Sequence, residues 1–152
     1  MKKKKSEENE PALKLEIFPA SGDTLLELPV ASEPVPAGFP SPAEDYRDQK
    51  LDLNQLLIKR PSSTFFVRVS GESMTNAGIF DGDLLVVDRS VQPTDKKIII
   101  GVINGEFTVK RIRKRGEKIF LVPANPAFKE TEITPEMNFV VWGVVMYCIH
   151  RV

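Results

Sequence analysis

The stretch VRVSGESMTNAGIFDGDLLVVD, Val67 to Asp88, decides how this chain is organised. Phe65 to Ser70 and Leu84 to Asp88 are rich in β-branched and aromatic residues and predict two strands. Between them stands Ser70-Gly71-Glu72-Ser73-Met74. Gly71 lets the backbone turn sharply after the first strand, so that Ser73 is presented on a turn with neighbouring amides exposed. Asp81-Gly82 predicts a second turn before the next strand.

A serine hydroxyl in that position is a candidate nucleophile, but it needs a base to take its proton. The single histidine, His150, is third from the end of the sequence. Lys110, 37 residues beyond Ser73, is the alternative base. A lysine serves only when neutral, which requires its pKa to fall from about 10.4 to near 7; full burial can supply the roughly 4 to 5 kcal/mol involved. On a strand of period two, Lys110 shares a face with Thr108 and Ile112, while Phe107, Val109 and Arg111 point the other way. The plainer reading makes Lys110 the start of the basic run Lys110 to Arg115 and Ser73 an ordinary turn residue. Spacing alone leaves both open.

A chain of 152 residues with 41% hydrophobic content supports one domain with a real core. Lys and Arg total 21 and so do Asp and Glu, so no excess of positive charge points to strong direct nucleic-acid binding. One cysteine, Cys148, excludes an internal disulfide and fits a cytoplasmic location. The basic start, Met1 to Lys5, is followed by Ser6-Glu7-Glu8-Asn9-Glu10, where a secretion signal would need an apolar region. The longest apolar run, Phe139 to Ile149, falls well short of the roughly 20 residues of a spanning helix, so no membrane association is expected. Cys148 and His150 lack companions at metal-ligand spacing, and neither a metal nor another cofactor is assigned.

Taken in order, residues 1–40 read as an extended N-terminal arm and residues 41–152 as a β-rich domain. Pro11, Pro19, Pro29, Pro34, Pro36, Pro40 and Pro42, seven of the 12 prolines, oppose both helix and central strand in the first part. Leu25, Leu26, Leu28 and Val30 are available there for docking. Within the arm, Val35-Pro36-Ala37-Gly38-Phe39-Pro40 reads either as a linker or as a substrate-like segment, small residues at Ala37 and Gly38 allowing close approach of a nucleophile. No helix-turn-helix pattern is present in the arm. Ser41-Pro42-Ala43-Glu44 predicts the start of one short helix, and Leu51 to Ile58 a second. Further strands are predicted over Ile98 to Ile103, Glu106 to Arg113, Lys118 to Val122 and Phe139 to Arg151. Asn104-Gly105 between two of them is a hairpin signal, and Arg115-Gly116 marks another turn. The last strand is apolar on both faces, which fits either a central core strand or a surface shared with a second copy.

Three motifs, Gly71-Glu72-Ser73-Met74, Ile79 to Asp88 and Gly105 to Arg111, together resemble the self-cleaving serine–lysine proteins of the LexA/UmuD family. Asp52 to Ile58 resembles UmuD members in particular. The resemblance covers Pro36 to about Val152. It implies a mainly β, LexA/signal-peptidase-like domain with one or two short helices. It also implies a serine endopeptidase in which Ser73 attacks, Lys110 is the base, and the backbone amides of Glu72 and Ser73 hold the oxyanion. The implied cleavage site is Ala37-Gly38, with Ala37 where some members carry cysteine. The expected partners are a second copy in a homodimer, the RecA filament on single-stranded DNA, and a UmuC-type subunit of polymerase V in SOS translesion synthesis. A LexA-type repressor domain without its DNA-binding half and a non-catalytic interaction subunit are the other readings. Thr94-Asp95-Lys96-Lys97 departs from the family in lacking a turn glycine.

Overall fold

The computed structural model describes residues 16–31, 34–40 and 49–152. The charged start and the short helix expected at Ser41 lie outside them. The described chain is mostly β, with ten strands and one short helix among these residues. Eight strands form one antiparallel sheet in the order β1 (Glu16–Pro19), β4 (Thr64–Arg68), β5 (Leu84–Asp88), β10 (Val140–Ile149), β6 (Ile98–Ile103), β7 (Glu106–Arg115), β8 (Lys118–Val122) and β9 (Thr131–Ile133). β2 (Glu27–Val30) and β3 (Gln49–Asp52) form a separate two-stranded sheet.

The turn residues do what their chemistry requires. Asn104 and Gly105 both carry positive φ, 49° and 82°, in the two-residue loop that joins β6 to β7. The mirror-image turn matches the twist of the strands, and register follows, with Ile103 opposite Glu106 and Ile98 opposite Arg111. β10 lies between β5 and β6 and is the central strand that its apolar sequence allows. It is bulged twice, between Val141 and Gly143 against β6 and between Val145 and Tyr147 against β5. Each bulge inserts one residue and turns the following side chains to the other face. Gly143 and Val144 are buried, whereas Met146, Tyr147 and Ile149 are exposed.

One buried cluster joins Val67, Val69, Met74, Ile79, Leu85, Val87, Ile100, Val109 and Ala124. A second joins Ile99, Ile112, Leu121 and Val144. The first contains residues on both sides of Ser73's turn, so the core itself fixes that turn. The segment between Ile79 and β5 is tied down by Asp83, which accepts from Phe80 N at 2.8 Å, from Cys148 Sγ at 3.3 Å and lies 2.8 Å from His150 Nδ1. Burial opposes ionisation of Asp83, but these donors outweigh it and hold its pKa below the usual carboxylate value. Burial and the adjacent carboxylate push the Cys148 thiol up to about 12, so it is not a reactive thiolate at neutral pH.

Three details differ from the sequence reading. The arm contributes strands: β1 and β2 contain Pro19 and Pro29, tolerated because both strands lie at sheet edges. The helix expected over Leu51 to Ile58 begins later, at Leu53, since Asp52 ends β3 and then caps α1 (Leu53–Leu57) by accepting from Asn54 N at 2.7 Å and Gln55 N at 3.2 Å. β9 was not predicted.

Two substitutions test this packing. A Cβ at position 143 would meet Val87 Cγ1 at 2.6 Å, so Gly143→Ala is expected to lower unfolding stability by about 1 to 3 kcal/mol in denaturant titration. Lys96 holds a left-handed φ of 71°, which glycine adopts without strain, and Lys96→Gly is expected to raise stability by about 0.5 to 1 kcal/mol in the same titration.

Candidate active site

Gly71 follows β4 with φ of 99°, a left-handed conformation that glycine adopts without strain. Its amide donates to Asp81 Oδ1 at 2.7 Å, which ties the two ends of the Gly71–Asp81 excursion together. Ser73 then sits 8% exposed, next to fully packed Met74. Ala77 N and Ile79 N both donate to Met74 O, at 2.9 and 3.3 Å, and close the turn around the serine.

Lys110 reaches Ser73 from the middle of β7. Its Nζ lies 2.9 Å from Ser73 Oγ and 3.1 Å from Thr108 Oγ1. Thr108 is two residues earlier on the same strand face, so period-two geometry puts its hydroxyl beside the amine. The lysine is half-buried, opposite Ile99 of β6. The two chemically suitable side chains separated in sequence are therefore within hydrogen-bonding distance, with the lysine held from a second side.

Two backbone bonds fasten this turn to the loop after β8. Ala124 N donates to Ser73 O at 2.8 Å, and Asn76 N donates to Ala124 O at 2.7 Å. Asn125 adds a third link, its Nδ2 donating to Glu72 O at 2.9 Å. Fixing the Glu72 carbonyl fixes the whole Glu72–Ser73 peptide plane, because the Ser73 N–H lies on the opposite side of the same rigid unit. Among the described residues, neither the Glu72 nor the Ser73 amide donates to a protein acceptor. Asn125 and Thr108 were missed in the sequence. Asn125 lies in Pro123-Ala124-Asn125-Pro126, which reads only as a loop, and Thr108 differs from other strand threonines solely by its place two residues before the lysine.

A cleft of about 370 Å³ opens beside the turn, lined by Asn76, Arg111, Pro123, Ala124, Phe128 and Glu130 among others. Ala37 and Gly38 are not seated against it. They form an exposed bend whose neighbours Val35 and Phe39 are 75% and 91% exposed, and a Cβ built on Gly38 would meet nothing within 4 Å. The structure thus brings Ser73, Lys110, Thr108 and Asn125 together and leaves the Ala37-Gly38 bond in solvent.

Among the described residues, no three His, Cys, Asp or Glu side chains converge as a metal site, and no helix is long and apolar enough to cross a membrane.

Comparison with known proteins agrees with this arrangement. Residues 29–146 match the Peptidase S24-like family. The chain is 48% identical over 131 residues to protein ImpA of Salmonella typhimurium, covering 86% of this chain and 89% of that protein. It is 41% identical over 139 residues to protein MucA of Salmonella typhimurium, covering 90% and 94%. LexA repressor 2 of Pseudomonas syringae pv. tomato is 36% identical over 127 residues, 84% of this chain and 62% of that protein. A family match across both candidate side chains and relatives this similar over most of the chain establish that it belongs to the Peptidase S24-like family, within the LexA/UmuD group.

Proposed function

We propose that this protein cuts its own backbone between Ala37 and Gly38, with Ser73 as nucleophile and Lys110 as base. The 2.9 Å separation of Ser73 Oγ and Lys110 Nζ carries the reading. Across that distance a neutral amine accepts the hydroxyl proton as Oγ attacks the Ala37 carbonyl carbon. The oxyanion then faces the N–H groups of Glu72 and Ser73, each donor contributing about 3 kcal/mol to the transition state. Collapse breaks the Ala37–Gly38 bond, and the Lys110 ammonium gives its proton to the leaving Gly38 amine. Water, deprotonated by Lys110, next attacks the Ala37 ester; the Ala37 carboxylate leaves and Ser73 Oγ regains a proton.

The exposure of the Ala37-Gly38 segment supports a regulated reaction, because the bond must first be carried to the serine. An activator favours cleavage only by binding the docked arrangement more tightly than the open one. In the LexA/UmuD group that activator is the RecA filament on single-stranded DNA, and we assign it the same role here. The shortened chain, as a homodimer in the cytoplasm, then joins a UmuC-type polymerase V subunit in SOS translesion synthesis. Exposed Phe80, Met146, Tyr147 and Ile149, an apolar set on or beside β10, support pairing of two copies.

Raising the pH from 7 to about 10 increases the neutral fraction of a lysine and is expected to speed cleavage without an activator. Intact mass after incubation is expected to show a product starting at Gly38, absent from Ser73→Ala and Lys110→Ala. An unchanged mass at both pH values and with RecA filaments would favour the non-catalytic interaction subunit. Asn125→Asp keeps an acceptor for Ala127 N, now 3.0 Å from Asn125 Oδ1, but loses the donor to Glu72 O. Its cleavage rate at high pH is expected to fall about tenfold or more while the thermal midpoint stays within about 2 °C, as measured by product formation and calorimetry.

A further inference from the structure

The contacts that hold the arm do not depend on the Ala37-Gly38 bond. β1 pairs with β4 in the register Glu16 to Arg68, Ile17 to Val67, Phe18 to Phe66 and Pro19 to Phe65. The ladder is extended by Ala20 N donating to Thr64 O at 3.1 Å and by an ion pair of 3.4 Å between Arg68 Nε and Glu16 Oε2. Ile17 packs on the larger core cluster. β2 pairs with β3 from Glu27–Asp52 to Val30–Gln49, with Lys50 Nζ 3.6 Å from Glu27 Oε2. Two further bonds fasten the segment between them: Leu26 N to Asp52 Oδ2 at 2.7 Å and Asn54 Nδ2 to Thr24 O at 2.8 Å. Every one of these contacts joins a residue before Ala37 to one after Gly38. The peptide link between the two groups runs through the β2–β3 connection, where Ala37 and Gly38 are exposed.

We infer that the β4 edge and the β3–α1 corner form a strand-acceptor site whose resident occupant is the chain's own segment 16–30, and that this segment stays bound after the backbone is cut. The inference rests on the reading of Ala37-Gly38 as the cleavage site. Cutting there removes no rung of either ladder. It removes the tether, and with it an effective local concentration in the millimolar range. Occupancy of the acceptor therefore becomes dependent on protein concentration. β4, covered by β1 in the uncut protein, is then an open edge whenever the segment leaves, and its unpaired backbone groups take another extended strand by the same ladder. Arg68 and Lys50 select for acidic side chains at the places of Glu16 and Glu27. The chemical event and the exposure of the edge are two separate steps.

The test must not depend on self-cleavage. A site-specific protease recognition sequence is inserted between Ala37 and Gly38 in the Ser73→Ala chain, cut with the foreign protease, and passed through size exclusion at tens of micromolar with intact mass of each fraction. The expected result is co-elution of the arm with the body, and loss of the arm on dilution. Adding an excess of a synthetic peptide of residues 16–31 is expected to displace it. Reversing both charges, Glu16→Lys with Glu27→Lys, is expected to weaken retention roughly tenfold. Adding Arg68→Glu and Lys50→Glu to the reversed chain is expected to restore it. Complete separation of the arm at tens of micromolar overturns the inference, as does retention indifferent to the charge reversals. Absence of self-cleavage in the unmodified protein would instead overturn the proposed function and leave this result standing.

Discussion

The site depends on the clamp between Ser73 and Ala124. Ser73 lies on the turn after β4 and Lys110 on β7, two strands with no ladder between them. What fixes their distance is the loop after β8, since β8 is hairpinned to β7 through Arg115 and Lys118 and its continuation bonds back to the serine turn. The lysine and the clamp thus move with one hairpin, and the serine is anchored to that hairpin at 2.8 Å. Burial of Met74 and Ala124 in one apolar cluster excludes water from the joint, which strengthens the hydrogen bonds there relative to exposed ones.

Much of this was legible because the decisive signals were local. Gly71 and the Asn104-Gly105 pair announce their conformations through the absence of a side chain or tolerance of positive φ, and the runs around them give the strands. Ser73 and Lys110 were candidates by chemical type, but their spacing left the plainer reading open, and only the resemblance to the serine–lysine proteins singled them out. What the sequence hid was long-range. β1 and β2 are short edge strands with a proline each, and their pairing depends on partners some fifty residues away for β1 (Ile17 with Val67); proline content argues against them locally. β9 has three residues, too few to carry a period. Asn125 gains meaning only when the loop after β8 is brought against Glu72.

The same contrast separates the two ends of the chain. The polar cluster of Asp83, Cys148 and His150 binds the end of β10 to the segment that follows the serine turn. It holds that segment by hydrogen bonds to a buried carboxylate, whereas the arm is held by exposed ladders and by ion pairs open to water. Pairs of the second kind each contribute up to about 1 kcal/mol in water. The body is therefore fixed mainly from within, while the arm adds to its exposed ladders and ion pairs the packing of Ile17 and the bond from Leu26 to Asp52.

The two bulges of β10 give the sheet a kind of indexing. Between them lie Gly143, Val144 and Val145: Gly143 and Val144 pair with β6, Val144 and Val145 with β5, and past Met146 the register with β5 shifts by one. A strand of uniform alternation can slip by two residues and still present a similar face to its neighbours. β10 has no such equivalent position, because a slip would need both bulges to migrate together and would bring a larger side chain to the place where Gly143 abuts Val87. The central strand thus acts as a ruler with unequal marks, and β5 and β6, the two strands that pair with it, are held to a single frame.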